Sequence, residues 1–177
     1  EAGKRAARVQ IHLEVDTGMN RVGLRPDEVS DSAAWAADVP NIDITGAMTH
    51  FAVADEEARD DVTLGQIAAF EHVLRDLEEL DIELETVHAA NTAAAWRFPQ
   101  ARYDMVRVGL GLYGYHPSQA VQADATGTQP APRFVTQVIH VKSVATNAGV
   151  SYGLTGTADH ERRIATIAAG YNDGLPR

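Results

Sequence analysis

The 177-residue sequence contains no cysteine. Disulfide bonds, thiolate metal ligands and thiol nucleophiles are therefore excluded for these residues, and we predict no metal site. No apolar run reaches the length that a membrane-spanning helix needs, and residues 1–12 lack the order of a secretory signal. We therefore expect a cytoplasmic protein with no membrane partner.

Positive charge is also scarce. Lys and Arg number 15 against 25 Asp and Glu, which gives a formal net charge of -10. Binding to nucleic acid is driven by basic patches, and the sequence contains none that we can identify. We therefore predict no nucleic-acid partner and favour a small molecule. The hydrophobic composition of 45% is sufficient for a folded core.

Strand-like and helix-like segments alternate over the first part of the chain. Residues 7–15 and 44–54 are rich in β-branched and apolar residues and predict two strands. Residues 26–37 open with Pro-Asp-Glu, which is typical of a helix start, and residues 64–80 have apolar positions at helical spacing. The order predicted here is strand, helix, strand, helix.

The same cycle recurs further along. Residues 85–91 predict a short strand, residues 92–98 a helix, and residues 104–114 contain a fourth, nearly continuous apolar strand. Repeated β–α units imply a parallel sheet. Both an open doubly wound sheet and an eight-stranded barrel satisfy this α/β pattern, and four strands would form half of such a barrel.

The composition changes after Tyr115. Residues 116–132 are rich in small, polar and proline residues and have no hydrophobic period, which predicts a connection between domains. Residues 133–145 and 162–171 are β-rich, and no long helix is predicted between them. We therefore expect a separate β-structured domain to begin near Arg133.

Four stretches place glycine, histidine, arginine or asparagine at strand ends, where parallel α/β architectures form active sites. They are HLEVDTGMNRVG, GAMTHFAVADE, VHAANTAAAWRFP and DMVRVGLGLYG. Each stretch alone is compatible with ordinary turns and surface charges. Together with VSYG and AAGYNDGLPR, their order and spacing closely resemble the alanine racemase family over essentially the whole chain.

The resemblance implies both a fold and an activity. Residues 1–117 would be the C-terminal half of a (β/α)8 TIM-type barrel that binds pyridoxal 5'-phosphate, residues 118–132 a linker, and residues 133–177 the start of a C-terminal β-domain. The implied activity is interconversion of L-alanine and D-alanine, which supplies D-alanine for peptidoglycan. The implied partners are a small amino-acid substrate and a second subunit in a head-to-tail homodimer.

The resemblance also assigns three catalytic residues. Arg107 would donate to the pyridine nitrogen of the cofactor, and since a guanidinium keeps its protons, the ring nitrogen would stay unprotonated. Tyr152 would take or give the α-proton at the site of the partner subunit. A phenol needs positive neighbours for that task near neutral pH, and His88 and Arg107 would supply this setting.

Other matched positions would bind the cofactor. His50 would lie against its ring, and Thr92 would bind the phosphate through its hydroxyl group. Gly109 and Leu110 would bind the phosphate through backbone N–H groups, because glycine lets the backbone come close. Asn91 would orient the site beside Thr92.

The segment that contains Arg21 departs from the family at two places. Arg21 would contact the phenolic oxygen of the cofactor and hold the substrate carboxylate. Glu14 replaces a lysine that many members carry carbamylated, and we hypothesise that Glu14 supplies the same negative charge. Asn20 replaces a glycine.

Tyr171 and Asp173 match a motif near the substrate entry, and Tyr171 is expected to contact the substrate.

The Schiff-base lysine is missing, since lysine occurs only at Lys4 and Lys142 and neither matches the cofactor-lysine motif. That lysine is also the second base of the family, so two-base racemisation cannot run on these residues alone. We therefore expect the chain to be an inactive fragment of a longer enzyme.

Alternatives remain open at this stage. Serine, lysine and arginine racemases share the scaffold. A non-enzymatic pyridoxal-phosphate carrier of the same barrel type is disfavoured by the β-rich residues from Arg133 onward, and a decarboxylase is disfavoured by Arg107. A binding module without a cofactor predicts no visible absorbance from the complete protein.

Overall fold

The structure is a computed structural model that describes residues 7–125, 127–157 and 159–175. The chain divides into two units, Glu1–Ala131 and Pro132–Arg177. No helix in the described ranges combines the length and the apolar character needed to cross a membrane.

The first unit alternates strands and helices, as the sequence predicts. Its elements are β1 (Val9–Val15), α1 (Pro26–Ala37), β2 (Ile42–Thr49), α2 (Asp60–Glu79), β3 (Thr86–His88), α3 (Thr92–Arg97) and α4 (Gln119–Asp124). Short 3-10 turns lie at Glu57–Arg59, Pro99–Ala101 and Leu110–Tyr113. The three strands form a parallel sheet in the order β1-β2-β3.

The helices pack on one face of this sheet. Alternate strand residues such as Leu13, Val15 and Ala47 are buried in the same core as Phe70 of α2, because successive side chains of a strand point to opposite faces. The opposite face holds His12, whose ring lies where a side chain on Gly46 would stand: a Cβ there would come within 2.6 Å of the His12 ring. Glycine at position 46 therefore makes room for a histidine on the neighbouring strand.

Two sequence predictions in this unit are wrong in detail. Residues 104–114 do not form a fourth strand among the described residues: Met105 makes a single parallel bridge to His88, and a 3-10 turn follows at Leu110–Tyr113. The segment still runs beside β3, since Asp104 N donates to Val87 O (3.1 Å) and Arg107 N donates to Ala90 O (2.8 Å). A three-residue β3 offers too short a template for a longer ladder.

The segment 116–132 is not free of packed structure. Ser118 caps α4 by accepting from Val121 N (3.3 Å), and its hydroxyl donates to Asp55 O (2.7 Å). Val121 is fully buried. Because α4 has only six residues and Val121 is its single large apolar side chain, the sequence shows no detectable hydrophobic period there.

The second unit contains an antiparallel pair of strands, β4 (Val138–Val144) and β5 (Arg162–Ile167). Between and after them lie the 3-10 turns Tyr152–Leu154 and Tyr171–Asp173. The described part of this unit contains no α-helix, in agreement with the β-rich pattern of the sequence.

Candidate active site

The predicted site residues of the first unit follow the carboxyl ends of the parallel strands. Arg21 lies in the loop after β1, His50 directly follows β2, and Asn91 lies between β3 and α3. Parallel strands present their carboxyl ends at one edge of a sheet, which is where parallel α/β proteins bind their ligands. Arg107 joins this edge from the segment beside β3.

Arg107 is the centre of the hydrogen-bond network. Its Nη1 donates to His88 Nδ1 (2.5 Å) and His88 O (3.1 Å), and its Nη2 donates to Thr49 O (2.7 Å), His50 Nδ1 (3.1 Å) and Ala89 O (3.3 Å). These acceptors all belong to the ends of β2 and β3. The bonds of Nη1 and Nη2 fix the orientation of the guanidinium. Within the described part of the chain, the Nε–H group has no protein acceptor, so it can donate to a ligand.

His88 continues the network toward the sheet face. A guanidinium only donates, so His88 Nδ1 accepts and the proton of the neutral ring lies on Nε2. That Nε2 lies 2.8 Å from His12 Nδ1, to which it donates. Burial, the charge of Arg107 and then His12 lower the pKa of His88 to about 4. His88 is therefore neutral near pH 7.

His50 lies on the other side of the guanidinium. Burial is the main cause that lowers its pKa, followed by the positive charges of Arg107 and Arg21, whereas Glu14 acts in the opposite direction. Because His50 Nδ1 accepts from Arg107, the neutral ring carries its proton on Nε2. The charge of Arg107 thus disfavours the protonated form of both histidines that flank it.

The negative charge of Glu14 acts to raise the pKa of both Arg107 and His50, because it favours their protonated forms. The side chains of Glu14 and Arg21 form no ion pair in the described ranges. The hypothesis that Glu14 replaces the negative charge of a carbamylated lysine stays a prediction.

The loop that carries Arg21 is closed on itself. Asp16 Oδ1 accepts from Gly18 N (3.0 Å) and Asn20 N (2.9 Å), and these bonds, with that of Asn20 first, lower the pKa of Asp16. Asn20 has φ = 55°, the left-handed conformation that asparagine tolerates better than most residues. Asparagine at a position where the family has glycine is therefore explained by backbone geometry.

Thr92 and the glycine-rich turn form a second cluster. Thr92 Oγ1 accepts from Gly109 N (3.0 Å) and Gly111 N (3.3 Å), which leaves its hydroxyl proton available for a ligand. The sequence predicts that the Gly109 N–H group points at the phosphate, whereas the structure directs it to the Thr92 hydroxyl oxygen. Around Gly109 there is open space, since a Cβ there would meet nothing within 4 Å.

Asn91 contributes through its neighbours. Its Oδ1 accepts from Ala94 N (3.0 Å) and caps α3, while its Nδ2 donates to Phe51 O (3.4 Å) in the loop after β2. Asn91 thus connects the start of α3 to the segment that carries His50.

Several of the predicted site residues of the first unit line an open pocket of about 300 Å³. Its lining comprises His50, Asp55, Asn91, Thr92, Ala93, Arg107, Gly109 and Pro117. Leu110 follows Gly109 and begins the adjoining 3-10 turn.

The two tyrosines lie in the second unit. Tyr152 begins the turn Tyr152–Leu154 and Tyr171 begins the turn Tyr171–Asp173, and both side chains are exposed. Asp173 Oδ2 accepts from Gly170 N (2.8 Å), which closes the second turn. The roles of Tyr152 and Tyr171 in a site stay predictions.

Sequence reasoning missed two residues that contact this network: His12, which is bonded to His88, and Gln66, whose Nε2 donates to His50 O (3.2 Å). His12 stands two residues before Glu14 on β1, and this alternation was the available signal that both share a sheet face. Gln66 occupies an inward position of α2, where a buried polar side chain must find partners.

Fold and site together define an α/β chain with a polar site at the carboxyl ends of its parallel strands. The family model described as "Alanine racemase, N-terminal domain" matches residues 1–117, and "Alanine racemase, C-terminal domain" matches residues 131–177. The chain belongs to the alanine racemase family.

Individual relatives agree with this placement. The chain is 41% identical over 174 residues to the alanine racemase of Desulforamulus reducens, covering 98% of this chain and 47% of that protein. The alanine racemase structure from D-cycloserine-producing Streptomyces lavendulae has a TM-score of 0.87 at 34% identity, covering 99% of this chain and 47% of that one. The Bacillus anthracis alanine racemase with bound L-Ala-P has a TM-score of 0.82 at 34% identity, covering 94% and 44%. The chain thus spans about half the length of the curated relatives it matches.

Proposed function

We propose that this chain forms part of a pyridoxal-phosphate-dependent racemase that interconverts L-alanine and D-alanine. The observation that carries the proposal is the guanidinium of Arg107, which donates to His88 and His50 and keeps its Nε–H as a donor for a ligand. A fixed donor that never releases its proton suits an unprotonated pyridine nitrogen. Membership of the alanine racemase family supports alanine as the substrate.

The residues present fit this cofactor. A phosphate group requires hydroxyl and N–H donors in open space, and the Thr92 hydroxyl faces the turn at Gly109, where a Cβ would meet no other atom. We propose that the Thr92 hydroxyl and the Leu110 N–H bind the phosphate, while Gly109 orients the Thr92 hydroxyl and leaves room for the anion. His50 would pack against the ring and Arg107 would donate to its nitrogen. When bound, the cofactor supplies an electron sink that acidifies the α-proton of the amino acid.

The proposed tasks of the remaining residues concern orientation and proton transfer. His88 keeps Arg107 in place through Nδ1. Arg21 would bind the substrate carboxylate with its paired N–H groups. The Tyr152 hydroxyl would accept or return the α-proton at the site of a partner subunit in a head-to-tail homodimer, and Tyr171 would contact the substrate. These assignments rest on the family resemblance.

The domain assignment is also a proposal. Residues 1–117 would be the C-terminal half of the barrel, residues 118–132 the linker and residues 133–177 the start of the β-domain. The two matched family domains and the division of the chain after Ala131 support it. We further propose that the cofactor lysine lies outside these residues, and that the protein acts in the cytoplasm.

The experiment that tests the proposal uses the complete protein that contains this chain. Purified protein is reconstituted with pyridoxal phosphate and incubated separately with L-alanine, L-serine, L-lysine and L-arginine, and the enantiomers are separated by chiral chromatography. Formation of D-alanine as the fastest reaction supports the proposal. A faster reaction with another amino acid overturns the substrate, and cofactor binding without any racemisation points to a carrier.

A further inference from the structure

Gln66 of α2 makes three hydrogen bonds to the loops that follow β1 and β2. Its side chain is only 3% exposed. Its Nε2 donates to His50 O (3.2 Å) and to Thr17 Oγ1 (3.2 Å), and its Oε1 accepts from Ala52 N (3.0 Å). Both N–H bonds and the carbonyl oxygen of the amide are therefore engaged, so the orientation of the amide is defined by its partners.

The bond from Gln66 to Thr17 is the first of three consecutive hydrogen bonds, and the donor of each bond can be assigned. Thr49 Oγ1 donates to Val15 O (2.8 Å), so its single proton is committed. Thr17 Oγ1, which lies 2.7 Å from Thr49 Oγ1, must then donate to it while accepting from Gln66. The chain runs from Gln66 through two hydroxyl groups to the last residue of β1.

Gln66 and Arg107 hold the same short segment through neighbouring backbone groups. Arg107 Nη2 binds Thr49 O (2.7 Å) and His50 Nδ1 (3.1 Å), whereas Gln66 Nε2 binds His50 O (3.2 Å). The backbone of His50 is thus fixed by α2 while its ring is fixed by Arg107. Thr17 belongs to the loop that carries Arg21, so the same amide also anchors that loop.

We propose that Gln66 is a positioning residue, which through its buried amide sets His50 and the loop of Arg21 relative to Arg107 for cofactor binding. The part that concerns the cofactor rests on the proposed function. A methionine at position 66 would fill similar space without an amide, so it would leave His50 O and Ala52 N without this partner. Valine at position 17 would break only the hydroxyl chain.

The test uses the complete protein with three uncharged variants, Gln66→Met, Thr17→Val and Thr17→Ser. One readout is the pKa of the His50 ring, followed by NMR of ¹⁵N-labelled histidine in cofactor-free protein. The other is the Kd for pyridoxal phosphate. We expect Gln66→Met and Thr17→Val to raise the pKa of His50 toward its ordinary value, because the ring gains water and moves away from Arg107 and Arg21. Thr17→Ser retains the hydroxyl and should stay near wild type.

The expected loss of cofactor affinity is about tenfold for Gln66→Met, in keeping with the loss of a buried hydrogen bond. Two controls accompany it. Gln122→Met changes an exposed glutamine and should alter nothing. Val73→Ala removes buried volume further along the same helix, and it should lower Tm without changing the Kd or the pKa of His50.

Two results would overturn the proposal: wild-type values of both readouts in Gln66→Met and Thr17→Val, or an equal change of both readouts in Val73→Ala. Should Gln66→Met fail to fold, Thr17→Val, with its partly exposed side chain, decides alone. If wild-type protein binds no pyridoxal phosphate, the proposed function fails. The titration of His50 then still tests the role of Gln66.

Discussion

Arg107 donates from Nη1 to Nδ1 of His88 across 2.5 Å. Arg107 cannot act as an acceptor, so the His88 ring must accept at Nδ1. The bond therefore fixes the tautomer of His88 and disfavours its charged form. The proton on Nε2 is directed at His12 Nδ1, 2.8 Å away. One guanidinium thereby orders two histidines in sequence.

The titration of His88 should be displaced. Burial and Arg107 hold its pKa at about 4 in the folded protein, against about 6.5 in the unfolded chain. The unfolded state therefore binds more protons between these values, and stability present above pH 6.5 is lost as the pH falls through 4. We expect a loss on the order of 2 kcal/mol over this window, measured by urea unfolding of the complete protein.

The control for this titration is His88→Asn, which offers an acceptor without a titrating ring. It should reduce the dependence of stability on pH in the same window. An NMR titration that showed His88 protonating near its ordinary pKa would contradict the geometry.

Arg107→Lys should be damaging although the charge is retained. A single ammonium group cannot satisfy acceptors on both β2 and β3, so some of them would lose their donors. We expect a loss of about 2 kcal/mol in the free energy of unfolding. Urea unfolding measures it, with the exposed Arg75→Lys as the matched control; equal stability of both variants would argue against a central role for Arg107.

Thr92 should respond to loss of its hydroxyl group and not to loss of its methyl group. Thr92→Val leaves Gly109 N and Gly111 N without their acceptor, which should cost about 1–3 kcal/mol. Thr92→Ser retains the acceptor and should stay close to wild type. Thermal unfolding and the Kd for pyridoxal phosphate report the two effects, and a valine variant as stable as the serine variant would refute the arrangement.

Asn20 offers a test of backbone conformation. At φ = 55°, alanine should destabilise the protein by about 1 kcal/mol, whereas glycine should be nearly neutral. Chemical unfolding of Asn20→Ala and Asn20→Gly measures the difference. If the alanine variant is the more stable of the two, the left-handed conformation is wrong.

Glu14→Gln tests the charge hypothesis. The Glu14 charge favours the protonated form of His50, so its removal should lower the pKa of His50 further. We also expect a higher KM for alanine, because the positive groups of the site lose their compensating charge. An unchanged KM, turnover and titration of His50 would make Glu14 a bystander.

Much of the fold was accessible from the sequence, because long amphipathic helices and apolar strands produce strong periods. The helix at Pro26–Ala37 agrees with the predicted range. Helix α2 (Asp60–Glu79) begins four residues before the predicted range 64–80 and ends one residue before its end. Short elements gave no such signal. Met105 forms one isolated bridge, and Val121 lies in a helix of six residues. In such short elements the tertiary partners decide the conformation.

The site divides in the same way. Arg107, His88 and His50 were predicted together from the resemblance, and the structure brings them within hydrogen-bond distance. The roles of Gln66 and His12 depend on which face of an element is turned inward and on residues far apart in sequence. No local pattern specifies such pairs.

Exchange of the α-proton tests the central claim most directly. The complete protein, loaded with pyridoxal phosphate, is incubated with L-alanine and separately with D-alanine in D₂O, and each product is analysed by chiral separation and mass spectrometry. A racemase site around Arg107 predicts that either enantiomer yields both, with deuterium at the α-carbon. Recovery of each enantiomer unchanged and free of deuterium, with the cofactor bound, would contradict the account.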